Sequence, residues 1–406
     1  MAKKIAVIGG GAAGLTAAIA AARCGAKVTV YERQDRVGRK LLATGNGRCN
    51  FTNINATVEN YHGRDRDFVR GAMRRFWVEE TLAFFRQLGI VARVEEEGKV
   101  YPYSGQAAAV LDVLRMEADR LGVRLVCGFE VARIERQGTG FMIYSYQREK
   151  VEAHAVIMTC GGRAAPNLGS NGSGYPILEK LGHHIVPVFP ALVQIKTTTE
   201  YGRGLKGTKF DGVARVFWKG EELGAEQGEI LFTEYGLSGP AIFRLSRLVG
   251  LHKKCWIALD FMPEYTLEQV KYLLAEQRAP GKTLESYLVG ILPKRMGQVL
   301  LKSCGIAPLS RGTDSLTEDE IRQIAGTIKG WQFETDGTLS WNNAQVTAGG
   351  ADVREVDSGT FESRLCKGLY IAGEVLDIDG DCGGYNLQWA WSSGYIAGAS
   401  AAGGSL

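Results

Sequence analysis

Apolar positions along this chain change period several times, and the changes divide it. Ile5–Ile8 is a short unbroken apolar run, the pattern of a parallel strand buried on both faces. Ala12–Arg23 is alanine-rich and followed by Gly25, which predicts a helix and its stop. Lys27–Tyr31 reads as the next strand. Residues 34–62 keep neither period and read as a loop. Helical spacing returns over 66–88 and 105–121. Three strand-like runs follow, at 123–135, 140–147 and 151–162.

Near Val186-Pro187 the pattern alternates apolar with polar, as antiparallel strands do, and 255–263 continues it. From Thr266 to Lys329 it turns helical, with a capping box at Thr317–Glu320. Strand character resumes over 331–350. A last strand at 368–373, a glycine loop and a helix from about Asn386 end the pattern. The fold class predicted is α/β. A Rossmann-like nucleotide domain is built from both ends, residues 1–186 and 351–406, with a β-rich substrate domain inserted at 187–263 and 331–350. That domain carries a helical insert at 264–330.

Composition narrows the partners. Of 406 residues, 45% are hydrophobic and 23% charged, and the net charge is +4. So mild a basic balance, with no long Lys/Arg stripe, argues against nucleic acid and leaves a small-molecule substrate. The 53 glycines are nearly twice the usual share of roughly 7% and sit in clusters, which suggests backbone lying close to a ligand. Eight cysteines form no CxxC pair, so neither a zinc site nor any other metal site is expected, and reduced thiols point to the cytoplasm. The start, Lys3-Lys4 before an apolar stretch, imitates a secretory signal. Gly9-Gly10-Gly11 and Gly14 split that stretch and a strand follows it at once, so strand, turn, helix and strand is the better reading. No 18-residue apolar run suggests a membrane span.

Gly9, Gly11 and Gly14 form a Gly-x-Gly-x-x-Gly turn between strand and helix, with Ala13 inside it. Such a turn admits a pyrophosphate to the positive end of the helix. Glu32, with Arg33 beside it, falls at the end of the second strand, where an acid binds an adenosine ribose. The segment 369–398 points to a flavin: Gly373-Glu374 and Asp377 follow a strand and suit ribityl or pyrophosphate groups. Gly384, Tyr385, Asn386 and Leu387 open a helix whose amides would face the flavin pyrimidine edge. Cys160-Gly161-Gly162 ends another strand and would pass the adenosine half. In the loop GNGRCNFTN (45–53), Gly47 leaves room for a flat ring. Arg39, Lys40 and Arg48 suit phosphate or a reduced flavin anion, and Asn46 and Asn50 offer hydrogen bonds. Cys49 has no partner at redox spacing and reads as a small loop residue.

The segments GGGAAGLTAA, GRKLLATGNGRCNFTN, FTEYGLSGPAIF and AGEVLDIDGDCGGYNLQWAWSSG together resemble the BaiN/aminoacetone-oxidase-like flavoproteins over essentially the whole chain. The resemblance implies FAD, held by Gly9, Gly11, Gly14, Glu32, Lys40, Gly373, Asp377 and the 384–387 turn, with backbone contact from Val131 to adenine. The chain departs from it at 169–174, which lacks Thr and Asp, and at Glu234, where many relatives have His.

The activity expected is hydride transfer at flavin N5, with NAD(P)H as a transient electron donor and an enone such as a bile-acid-like intermediate as substrate. Alternatives are an oxidase releasing peroxide from an aminoketone such as aminoacetone, and a non-catalytic redox sensor. Tyr235, Glu234 and Tyr385 are the candidate proton donors.

Overall fold

The opening strand, β1 (Lys4–Ile8), lies at the centre of a five-stranded parallel sheet. This is a computed structural model, and it describes residues 2–198 and 201–404. Ile5 to Ile8 are all buried, with a hydrogen-bonded strand on each side, so no position is left for a polar residue. The chain leaves through α1 (Ala12–Arg23) and returns as β2 (Lys27–Glu32), in register from Lys4↔Lys27 to Ile8↔Tyr31. Later come α2 (Ala107–Arg120), β3 (Arg124–Cys127), β4 (Ala155–Met158) and α3 (Gly174–Lys180). The far end of the chain adds β5 (Leu369–Ile371) and α4 (Tyr385–Ala402). The spatial order is β5-β4-β1-β2-β3. Because the strands are parallel, the turns after β1, β2, β4 and β5 all emerge at one edge.

Two helices from opposite ends of the chain pack on each other. Nine of the twelve α1 residues are buried, six of them alanine or glycine. A Cβ added at Gly394 or Gly398 of α4 would overlap the carbonyl oxygen of Ala13 or Ala17. The two glycines are one turn apart, so the backbones meet along a stripe that no larger side chain allows.

The chain forms two units. One runs to Pro190 and resumes at Gln345; the other is Ala191–Ala344. The second unit holds a closed six-stranded barrel of Ile195–Thr197, Gly236–Ser238, Glu221–Phe232, Lys209–Trp218, Trp256–Asp260 and Trp331–Thr338, in that spatial order. Phe232, Trp331 and Phe333 are packed together in its core. Helices Leu267–Glu276, Lys294–Ser303 and Glu318–Gly330 belong to the same unit. Thr317 accepts from the Glu320 amide, so the capping box read from the sequence is formed.

Several single runs of the sequence are two elements in the structure. Residues 123–135 split at Gly128, whose φ of 74° turns the chain out of the parallel sheet into an antiparallel strand, Val131–Gln137. Residues 151–162 split at His154, whose amide bonds to Lys4 O, between an antiparallel strand and β4. The helical run 66–88 breaks at Trp77, the N-cap of a new helix, where Glu80 accepts from the Trp77 amide. Residues 346–351, assigned from the sequence largely to the β-rich domain, pair with Ile185–Ala191 and lie in the first unit.

Candidate cofactor site

The turn after β1 is tight for a visible reason. Gly9 has φ of 103°, and a Cβ there would stand 2.6 Å from the Thr159 carbonyl oxygen. At Gly14 a Cβ would overlap the Gly9 carbonyl and come 2.8 Å from Thr159 Oγ1. Thr159 itself donates at 3.0 Å to the Ile8 and Gly9 carbonyls, clamping the turn from β4. A Cβ at Gly11, by contrast, would meet nothing within 4 Å. The backbone is therefore crowded on the protein side and open on the other. No side chain caps α1, so its first-turn amides and dipole face that open side.

Glu32 ends β2 and is 9% exposed. One carboxylate oxygen accepts from the Gly10 amide and the other from the Gln34 amide, both at 2.8 Å. The acid is thus oriented by the glycine turn it adjoins and keeps lone pairs for further donors. Arg33 Nη1 is buried, reaches Glu130 only at 3.9 Å, and has no hydrogen-bond partner among the described residues. Phe129 bonds back to the Glu32 carbonyl, which draws Val131 toward the end of β2.

Past β4, Cys160 lies against Gly9, since a Gly9 Cβ would be 2.9 Å from the Cys160 Cα. Gly161 and Gly162 pack on Ser170 and Thr347. Past β5, Gly373 adopts φ of 81°, and a Cβ there would be 2.9 Å from the Ala13 Cβ, so this loop crosses the start of α1. Glu374 gives one oxygen to Lys40 Nζ at 2.7 Å and the other to the Thr347 amide at 2.9 Å. Glu374 is thereby held beside Lys40 and Thr347. Asp377 is 1% exposed and accepts from the Arg64 amide.

The 45–53 stretch begins in a tight turn and ends in a short strand, Thr52–Asn53. It runs from helix Arg39–Ala43 through a tighter turn at Thr44–Gly47, with Asn46 and Cys49 at positive φ. Asn50 accepts from the Val100 amide, and a Cβ at Gly384 would lie 2.8 Å from its side-chain oxygen. Gly47 is unobstructed. Arg39 pairs with Gln34 and Asp35, and Arg48 with Glu95 while lying 4.1 Å over the Tyr101 ring. Asn386 bonds both the amide and carbonyl of Gly380, fixing the loop before α4, and Leu387 is half-buried beside it. Gly384 is the N-cap of α4, at φ of 101°, without a side-chain cap. Tyr61 donates to the Tyr385 carbonyl. Cys49 is fully buried, and burial pushes its thiol up to about 12, as it does that of Cys160.

Every cofactor-binding residue read from the sequence lies in the first unit. Glu234 and Tyr235 lie in the second. Glu234 is exposed, and its hydrogen bond from Lys206 holds the carboxyl below the usual range. Thr159 and Thr347, which tie these loops together, were missed. Thr159 precedes a glycine pair that did mark the turn, whereas nothing in the sequence marks Thr347.

These residues fit an adenine dinucleotide on three observations: an open Gly11, a buried acid fixed by the glycine turn, and two uncapped helix N-termini. Residues 3–400 match the family described as HI0933-like protein Rossmann domain. The chain belongs to that family. It thereby stands among the FAD-dependent oxidoreductases. Among HI0933-like relatives, it is 40% identical to a 3-dehydro-bile acid delta(4,6)-reductase of Clostridium scindens, over 98% of this chain and 99% of that one. It is 31% identical to a ribosomal RNA dihydrouridine synthase of Haemophilus influenzae, over 96% of each chain. The crystal structure of 3-ketosteroid delta1-dehydrogenase from Sterolibacterium denitrificans shares the fold, with a TM-score of 0.50 at 12% identity, covering 99% of this chain and all of that one. No helix among the described residues is long and apolar enough to cross a membrane.

Proposed function

We propose that the chain is an NAD(P)H-linked reductase of a carbon–carbon double bond conjugated to a carbonyl, acting on small-molecule enones. The observation that carries this reading is the 40% identity, nearly end to end, to a reductase acting on such a bond. Bound FAD supplies hydride chemistry at its N5.

The chain's own residues bind and orient. Glu32 accepts from the adenosine ribose, and Arg33 and the Val131 backbone lie toward adenine. The start of α1, opened by Gly9, Gly11, Ala13 and Gly14, takes the pyrophosphate. Cys160–Gly162 and Gly373 border it. Lys40 adds positive charge there, with Glu374 holding its ammonium in place, and Asp377 serves the ribityl side. The start of α4, from Gly384 to Leu387, directs partial positive charge at the flavin pyrimidine edge, where reduction places negative charge. The 45–50 turn, with Asn46, Gly47 and Asn50, flanks the ring. Arg39 and Arg48 stiffen it through their own pairs. Cys49 and Cys160 remain protonated thiols and carry no electrons.

Enone reduction also needs a proton beside the carbonyl. Glu234, ionised beside Lys206, has none to give at neutral pH. Tyr385 opens α4 and is the favoured donor, ahead of Tyr235.

The test is anaerobic. NADH or NADPH should bleach the flavin band, and a 3-oxo-4-ene steroid should restore it. No bleaching, with peroxide released from an aminoketone in air, would establish the oxidase instead. A second reading rests on the 31% identity to rRNA dihydrouridine synthases, because uracil carries the same conjugated double bond. The mild charge of +4 favours the small molecule. Dihydrouridine restored to rRNA in a synthase-deficient strain expressing this chain would favour RNA.

A further inference from the structure

Tyr175 lies in the first turn of α3, next to the 169–174 glycine loop. It is 7% exposed, and its hydroxyl is buried with no hydrogen-bond partner among the described residues. An orphaned buried hydroxyl is costly and uncommon in a folded protein. Its surroundings are those of the site. Cys160, Glu374, Asp377 and Arg163 all act on it electrostatically. A Cβ at Gly172 would touch the ring at 3.3 Å, and one at Gly174 would overlap Cys160 Sγ. Glu374 and Asp377 belong to the loop that crosses the start of α1 at Ala13, which is where a pyrophosphate would lie. Burial, together with the negative charge of Glu374, holds the phenol well above its ordinary value, so it remains an O–H donor throughout the working range. Glu374 is not its acceptor: the carboxylate accepts from Lys40 and the Thr347 amide, and no hydrogen bond joins it to the Tyr175 hydroxyl.

We infer that the Tyr175 hydroxyl donates a hydrogen bond to bound FAD, on the pyrophosphate–ribityl segment that joins the two halves of the cofactor. The inference rests on the FAD assignment but not on the enone substrate. It makes Tyr175 a binding residue whose hydroxyl is a liability in the apoprotein and an asset in the holoprotein. The two forms therefore respond oppositely to its loss.

The experiment is Tyr175→Phe in the full chain, with two readouts. FAD affinity, from quenching of flavin fluorescence on titration into apoprotein, should weaken about five- to tenfold. The apoprotein melting temperature should stay level or rise, because an unsatisfied buried group has been removed. A Kd within twofold of wild type would overturn the inference. So would a clear fall in the apoprotein melting temperature, or failure to fold, since either means the hydroxyl already has a partner in the protein. Wild-type protein that takes up no FAD would instead sink the cofactor assignment, which separates the two failures. ADP and FMN titrated separately locate the contact: the ligand losing affinity in the variant carries the acceptor, and equal affinities for both would count against the placement.

Discussion

Glu32→Gln probes the adenosine end of the site most sharply. The native carboxylate satisfies two buried amides, those of Gly10 and Gln34, each at 2.8 Å. The amide side chain has one oxygen, so one of those N–H groups must face an NH₂ and lose its acceptor. Leaving a buried donor unpaired costs about 1–3 kcal/mol. A domain of this size loses roughly 2–4 °C of melting temperature per kcal/mol, so the apoprotein should melt several degrees lower. The holoprotein suffers twice. A hydrogen bond to a charged group contributes about 1.5–3 kcal/mol, and its loss at the ribose should weaken FAD by about ten- to a hundredfold. Calorimetry of apoprotein and FAD titration by fluorescence quenching measure the two effects. An apoprotein melting within a degree of wild type, together with FAD affinity within twofold, would refute both the geometry at the turn and the role assigned to the acid.

Other changes test separate parts of the structure. Gly398→Val drives a Cβ into the Ala17 carbonyl oxygen and should destabilise by about 1–3 kcal/mol or more, whereas Gly326→Ala, in a barrel-unit helix with open space at the Cβ, should stabilise by about 0.5–1 kcal/mol; urea unfolding followed by circular dichroism compares them. The thiols of Cys49 and Cys160 are raised in the fold to about 12, from about 9. Their contribution to stability is full below pH 9 and should drain away between pH 9 and 12. The urea midpoint should therefore fall over that range, and Cys49 should resist a disulfide reagent at pH 8 while exposed Cys24 reacts. Glu234→Gln removes only an exposed pair, so steady-state turnover of the enone should stay within twofold; a tenfold loss would return Glu234 to the list of proton donors.

What the sequence made legible was periodic or glycine-marked. Ile5–Ile8, Ala12–Arg23 and Glu32 could be placed because a buried strand, a small-residue helix and an acid at fixed spacing each leave a local signature. The return of the chain's far end to the first sheet was readable from Gly373 and the Gly384 loop. What could not be read was set by distant partners. Residues 346–351 look like any alternating strand, and only their pairing with Ile185–Ala191 assigns them to the first unit. Nothing local to Glu374 reveals that Lys40 and the Thr347 amide both donate to it. The break at Trp77 was hidden because apolar spacing runs through it, and the cap that restarts the helix is a side-chain bond rather than a change of period.

The sheet's order carries a consequence for how such a chain matures. β5 and α4 leave the ribosome after the whole barrel, yet β4 waits for β5 as its edge neighbour and α1 waits for α4 to cover its glycine-matched face. During synthesis, then, the inserted unit can close first while the dinucleotide turn stands half-built. A nascent chain stalled before Leu369 would carry every strand of the barrel, while its parallel sheet would lack β5 and α1 would lack the cover of α4.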